Sequence, residues 1–93
     1  LQSLKENLSR QFSAELNRPP EVLVKQMESP RQAGHGHVSL PVFAWAKEAR
    51  KAPPILAQEI AVALTAKKNQ DIEKIEALSG FVNFTFRPEY VQL

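Results

Sequence analysis

Residues 72–86 read IEKIEALSGFVNFTF, two runs with strand character that flank a Ser79-Gly80 dipeptide. The first run, Glu73–Leu78, predicts one strand, and Ser79-Gly80 is typical of a tight turn. The second run alternates with period two, which assigns its side chains to two faces: Val82, Phe84 and Phe86 on one, and Phe81, Asn83 and Thr85 on the other. The stretch therefore predicts a β-hairpin with one apolar face.

An amphipathic helix is predicted at the N-terminal side of the chain. Its apolar residues recur at steps of three and four: Leu1, Leu4, Leu8, Phe12 and Leu16. Pro19-Pro20 ends it, because proline lacks the amide donor that a continuing helix needs. Val22–Met27 then predicts a short strand, Glu28–Gly36 an exposed loop, and His37–Leu40 a second short strand.

Two successive helices are predicted between these strands and the hairpin. Ser39-Leu40-Pro41 is typical of a helix start, with a hydroxyl for capping and a proline suited to the first turn. Within that helix Val42, Phe43, Ala46 and Ala49 are expected to face inward, with Trp45 along the edge. Pro53-Pro54 opens the second helix. We therefore predict an α+β fold, in which helices pack on one face of a small antiparallel sheet of about four strands.

Composition excludes several functional classes. The 93 residues contain no cysteine, which rules out disulfide scaffolds, thiolate metal sites and a cysteine nucleophile. The net charge of +2 permits nucleic-acid binding without requiring it. No run approaches the ~20 apolar residues of a membrane-spanning helix, so we expect a cytoplasmic protein without a membrane partner. The absence of Met at position 1 and a helix start abandoned after Arg87 lead us to expect a piece of a longer protein.

Enzyme-like motifs are weak in this sequence. His35-Gly36-His37 offers two imidazoles that could bind a metal, but two ligands without a third make a poor site, and a solvated loop entering a strand is the better explanation. The order of these residues also differs from the His-x-Gly-His signature of class I synthetases. No nucleophile elbow and no phosphate-binding glycine loop are present. We expect no catalytic residue, metal or cofactor in these 93 residues.

The predicted hairpin carries the clearest functional pattern. Phe81 beside Asn83 combines a stacking surface with an amide, the chemistry that reads unstacked RNA bases. Bases also outnumber acids from residue 47 to residue 74, with Lys47, Arg50, Lys51, Lys67, Lys68 and Lys74 against Glu48, Glu59, Asp71 and Glu73. Two alternatives remain. Phe81 could pack against a helix, and Phe81 or Trp45 could instead dock a protein partner.

Three segments resemble the N-terminal additional domain of arginyl-tRNA synthetase: residues 37–47, the Pro-x-Ile-Leu-Ala-x-Glu-Ile motif from Pro53, and residues 72–84. The resemblance runs in order through essentially the whole chain, and the hairpin is its most specific part. One departure is His37, where the family usually has aspartate after the loop glycine. Any hydrogen bond made by that aspartate is therefore in doubt.

The resemblance implies a non-catalytic domain, residues 1–88, with residues 89–93 starting the linker to a class I catalytic domain. That parent would be an arginine–tRNA ligase that uses ATP with magnesium, and the domain would grip the elbow of tRNA(Arg) at its D-loop. Carried over by position, the binding aromatic and amide fall on Phe81 and Asn83. Residues placed near phosphates are Lys47, Arg50, Lys51 and Lys74. We expect the chain itself to be a monomer whose partners are tRNA and the catalytic domain.

Overall fold

The computed structural model describes residues 2–28, 37–68 and 72–87. Within these ranges the chain forms four helices and three strands: α1 (Gln2–Leu16), α2 (Pro20–Gln26), β1 (Val38–Pro41), α3 (Phe43–Ala49), α4 (Pro53–Thr65), β2 (Ile72–Leu78) and β3 (Phe81–Phe86). The predicted α+β class is confirmed. Residues 29–36 of the predicted loop, and the predicted helix start after Arg87, lie outside the described residues.

The three described strands form one antiparallel sheet in the order β1-β3-β2, so β3 is central. Phe84 marks the register, since it lies opposite Val38 of β1 and Ile75 of β2. The predicted hairpin is thus confirmed, with a register shift between Ile72 and Lys74 that leaves Glu73 as an extra residue in β2. The sheet has three strands in the described part of the chain, where we predicted about four.

The missing strand is the one predicted over Val22–Met27, which is wrong: most of this segment lies in helix α2. A short β-branched run does not separate a strand from a buried helix turn by its pattern alone. The local signals favour the helix. Pro20 occupies the first turn, where its missing amide donor costs nothing, Glu21 lies in the positive first turn, and Lys25 lies in the last turn. Pro20 therefore starts α2, whereas α1 already ends at Leu16, where Asn17 turns the chain with a left-handed φ of 55°.

The core lies between the helices and the inner face of the sheet. Alternation places Val82, Phe84 and Phe86 of β3 on this face, and all three are buried as predicted. Phe12 of α1 stacks on Phe84 with ring centroids 6.1 Å apart. The remaining core side chains come from every described element: Leu4, Leu8, Leu23, Met27, Val38, Leu40, Val42, Trp45, Ala57, Ala61, Leu64, Ile72 and Ile75. The helices thus cover one face of the sheet, as the pattern predicted.

Helix α3 starts later than predicted, and its first residues face differently. Pro41 is the last residue of β1, and the helix begins at Phe43 with Val42 as its N-cap. Val42 and Trp45 are buried, whereas Phe43 is 48% exposed. Helical spacing alone could not place these side chains, because the indole of Trp45 is covered by Arg18, which lies outside the helix.

The turn of the hairpin lies directly against the first residues of α3 and α4. The amide of Val42 donates a 3.0 Å hydrogen bond to the carbonyl of Gly80. A Cβ on Gly80 would lie 2.5 Å from Cε1 of Phe43 and 2.9 Å from Cβ of Pro53, both closer than side chains approach one another. Glycine is therefore required here because two elements approach the turn, and Gly80 fits the position that the sequence assigned to a turn.

His37 makes a hydrogen bond that an aspartate at this position could also make. The backbone amide of Phe86 donates to Nδ1 of His37 at 3.0 Å, and the backbone amide of His37 donates to the carbonyl of Phe84 at 2.8 Å. An aspartate Oδ1 is the same number of bonds from the backbone as a histidine Nδ1. Histidine at position 37 therefore still places a hydrogen-bond acceptor beside the end of β3.

Replacing His37 with alanine is expected to lower the free energy of unfolding by about 1 kcal/mol, because one partly buried hydrogen bond is lost. His37→Asp keeps an acceptor at the same reach and should cost less than half as much. Urea unfolding of the two variants measures the difference. Equal losses would show that Nδ1 does not support the fold as an acceptor.

Candidate nucleic-acid interface

The outer face of the sheet, opposite the core, carries the predicted site. Phe81, Asn83 and Thr85 lie along its central strand. The register adds flanking residues from both neighbouring strands: Ser39 and Pro41 from β1, and Lys74, Glu76 and Leu78 from β2. Phe81, Asn83 and Lys74, which the sequence placed in one site, are therefore neighbours on one surface.

Phe81 forms an aromatic pair with Phe43 at the hairpin end of this face. The ring centroids are 5.1 Å apart with an interplanar angle of 81°, the edge-to-face arrangement that aromatic quadrupoles favour. Phe81 is half-buried and Phe43 remains substantially exposed. Phe81 therefore packs against a helix residue, as one interpretation predicted, and part of its ring remains accessible.

Asn83 is more enclosed than its predicted role suggested, with only 3% of its surface exposed. It sits on the central strand between Phe81 and Thr85, with β1 and β2 on either side. Its Oδ1 accepts a 2.7 Å hydrogen bond from the hydroxyl of Ser39. Ser39, which the sequence placed both in a short strand and at a helix start, is a strand residue that contacts the candidate site.

The four residues predicted to lie near phosphates differ in whether an acidic side chain compensates their charge. Lys47 lies one turn after Phe43 on α3, so the two side chains share a helix face, and Lys47 is exposed. Arg50 is exposed at the end of α3 with a left-handed φ of 58°. Lys51 instead pairs with Glu59 of α4, and Lys74 pairs with Glu76 at 3.6 Å. Lys47 and Arg50 thus add positive charge beyond the aromatic pair, while the charges of Lys51 and Lys74 are partly compensated.

Trp45 cannot serve as the exposed docking residue that the alternative interpretation required. It is 8% exposed, and the guanidinium of Arg18 lies 4.6 Å from the ring centroid. Arg18 is itself held by Glu48 at 3.3 Å. This cation–π contact covers the indole with a side chain from the end of α1, which helical spacing in α3 could not reveal.

Sequence reasoning missed three residues of this surface: Phe43, Ser39 and Leu78. Phe43 was assigned to the inner face of a helix, and Ser39 to a short strand and a helix start. Leu78, which is 45% exposed, was given no binding role. For Leu78 a signal existed, since alternation along β2 puts it on the same face as Lys74 and Glu76. For Phe43 and Ser39 the relevant contacts join residues about forty positions apart, which local patterns do not encode.

In residues 2–28, 37–68 and 72–87, no group of three or more histidine, cysteine, aspartate or glutamate side chains could hold a metal ion. His35 of the His-Gly-His motif lies outside these ranges, and Nδ1 of His37 is already an acceptor. Within the described part of the chain, no helix is both long enough and apolar enough to cross a bilayer.

Comparison with known proteins gives one consistent family. A sequence profile described as "Arginyl tRNA synthetase N terminal domain" matches residues 2–86. The arginine–tRNA ligase of Aliarcobacter butzleri is 41% identical over 68 residues, which are 71% of this chain and 12% of that protein. Arginine–tRNA ligase 1 of Bacillus thuringiensis subsp. konkukian is 36% identical over 86 residues, which are 92% of this chain and 14% of that protein.

A solved structure agrees with these sequence relatives at the level of fold. Arginyl-tRNA synthetase of Thermus thermophilus matches 94% of this chain and 14% of its own with a TM-score of 0.62, at 24% identity. The comparisons place the chain among the domains of aminoacyl-tRNA synthetases. Within that class, it belongs to the family of arginyl-tRNA synthetase N-terminal domains. It spans only 12% to 14% of the length of these relatives.

Proposed function

We propose that this chain is a tRNA-binding accessory domain of an arginine–tRNA ligase, and that its outer sheet face contacts the D-loop at the elbow of tRNA(Arg). The observation that carries the proposal is the partly exposed Phe43–Phe81 pair beside the amide of Asn83. Aromatic rings stack with any unpaired base, and an adjacent amide can hydrogen-bond its edge.

The positive charges near the aromatic pair favour a weak contact with RNA, to which the rest of the parent protein would add. Lys47 and Arg50 extend positive charge from the aromatic pair along α3, where phosphates that flank a stacked base could lie. Each neutralised phosphate releases counterions and makes affinity fall with salt. With a net charge of only +2, the chain would add a few contacts while the rest of the parent protein supplies more.

The proposal extends to the parent protein. Residues 1–88 would form the domain and residues 89–93 would begin the connection to the catalytic domain, which would be its intramolecular partner. That parent would join arginine to tRNA(Arg) with ATP and magnesium in the cytoplasm, and this domain would position the tRNA. The support is the shared family with proteins named arginine–tRNA ligase.

Phe81→Ala is expected to weaken binding of a labelled tRNA(Arg) transcript to the chain about tenfold, the typical loss when a stacked aromatic is removed. The matched control is Val62→Ala, which truncates an apolar side chain that is 61% exposed on α4, a helix on the core side of the sheet. NMR line broadening during titration measures affinities in the weak range expected here. Melting curves of both variants show whether the fold is intact.

The protein-docking alternative predicts a different result, because an apolar protein contact does not depend on counterion release. Binding of tRNA should fall as salt rises, and the loss on Phe81→Ala should persist at either salt concentration. If unaltered chain shows no interaction with tRNA, or if Val62→Ala weakens binding as much as Phe81→Ala, the proposed interface is wrong.

A further inference from the structure

Strand β2 forms an open edge of the sheet. The strand order β1-β3-β2 leaves its outer side without a neighbouring strand in the described part of the chain. The register shows which backbone groups face that side. Phe84 directs its carbonyl away from β2, because that oxygen accepts a 2.8 Å hydrogen bond from the amide of His37. Its partner Ile75 on β2 therefore turns its own amide and carbonyl outward, and by alternation so does Ala77.

These outward groups are accessible to another strand. The carbonyl of Ile75 has a long contact of 3.5 Å with the hydroxyl of Thr65 on α4, and that hydroxyl donates a shorter hydrogen bond of 2.7 Å to the carbonyl of Ala61. Beside the strand, an open groove of about 300 Å³ separates β2 from the flank of α4. An added strand therefore meets available backbone groups and enough room at this edge.

The charged side chains of this edge alternate in sign. Lys74 and Glu76 flank Ile75 and are each about half exposed. Their mutual contact of 3.6 Å is longer than a hydrogen bond and lies in solvent, so it contributes little to stability. Charges on an edge strand usually keep other strands away, because a like charge on the approaching strand is repelled. Alternating signs lose this effect in any register that places each charge opposite its counter-charge.

A second copy of β2 provides such a register. When two copies run antiparallel around a two-fold axis at Ile75, Lys74 of each copy lies opposite Glu76 of the other. Directly opposed side chains are about 4.5–5.5 Å apart, close enough for both ion pairs. The outward groups of Ile75 then exchange two backbone hydrogen bonds at the axis. A shift of the axis by one residue instead places Lys74 opposite Lys74, or Glu76 opposite Glu76, so the charges select a single register.

We propose that β2 pairs with β2 of a second copy of this chain, so that two three-stranded sheets join into one across a two-fold axis at Ile75. The proposal does not depend on the RNA contact proposed for the outer face. One pair of short strands makes a small interface, so we expect a dissociation constant of about 0.1–1 mM. The monomer expected from the sequence is then the dilute form of the chain.

Charge reversal tests the proposal by sedimentation equilibrium of the chain at low salt, up to about 1 mM. Lys74→Glu and Glu76→Lys each place like charges opposite each other at two positions, and each should weaken self-association about tenfold. An equimolar mixture of the two variants should dimerise again, because every reversed charge then faces its counter-charge. Lys25→Glu is the matched control, since it makes the same charge change at an exposed position on α2 and should leave association unaltered.

NMR spectra locate the contact. When unlabelled Glu76→Lys is added to isotope-labelled Lys74→Glu, the backbone amides of Ile75 and Ala77 should shift downfield as they gain partners. The amides of β1, on the far side of the sheet, should not shift. An unaltered chain that stays monomeric up to about 1 mM overturns the proposal. A dimer that persists in both single variants, or a mixture that fails to dimerise while both variants keep their melting temperature, overturns it as well.

Discussion

Replacing Phe84 with alanine is expected to lower the free energy of unfolding by about 3–5 kcal/mol, the range for removing a fully buried phenylalanine. Phe84 is fully buried on the central strand and lies opposite Val38 and Ile75. It also stacks on Phe12, so the vacated space lies where α1 meets the sheet. A domain of this size has little stability to spare, and the melting temperature should fall by more than about 15 °C.

Phe81→Ala is the matched control for this prediction, because the same side chain is removed three positions away on the opposite face. Phe81 is half-buried and contacts Phe43 at the surface, so its loss should cost only about 1 kcal/mol. Urea unfolding with tryptophan fluorescence follows both variants, since Trp45 is buried in the same core. Equal destabilisation by the two variants would contradict the assignment of inner and outer faces.

Gly80→Ala is expected to cost about 2–3 kcal/mol, because the added methyl overlaps two side chains at once. Phe43 is 48% exposed, so its ring can rotate away from the turn. Pro53 begins α4 and has a rigid ring, so it cannot move in the same way. Movement of Phe43 would also separate it from Phe81. Urea unfolding measures the cost, and the ring-proton shifts of Phe81 in NMR spectra report the separation.

The origin of this cost can be checked in a Phe43→Ala background, where one of the two overlaps is absent. Gly80→Ala should then destabilise the chain by a smaller amount, since only the contact with Pro53 remains. The same cost in both backgrounds would mean that Phe43 does not restrict the turn. Full tolerance of alanine at Gly80 would contradict the close approach of both elements.

Patterns within single elements predicted most of the fold. The alternation of Phe81–Phe86 correctly gave the hairpin and its two faces, and the spacing of Leu4, Leu8 and Phe12 gave α1. The segment now seen as α2 failed because seven residues are too few for periodicity to separate helix from strand. For this segment, the residues typical of a helix start around Pro20 are a better guide than periodicity.

The site was predictable only where it depends on alternation. Phe81 and Asn83 were correctly assigned to one face, but the enclosure of Asn83 depends on β3 lying between two strands. Strand order is a property of the assembled sheet, and no local pattern fixes it. For the same reason the partners Ser39 and Phe43 were missed, since each meets the hairpin only after β1 has paired with β3.

The central position of β3 also determines how the interface responds to fluctuations of the chain. Backbone hydrogen bonds hold β3 to β1 on one side and to β2 on the other, so fraying of either edge strand leaves the other ladder in place. We therefore expect the backbone of Phe81 and Asn83 to open less often than either edge strand. For the proposed contact with a base, such a surface would be ordered before binding, so that little conformational entropy would be lost in ordering it.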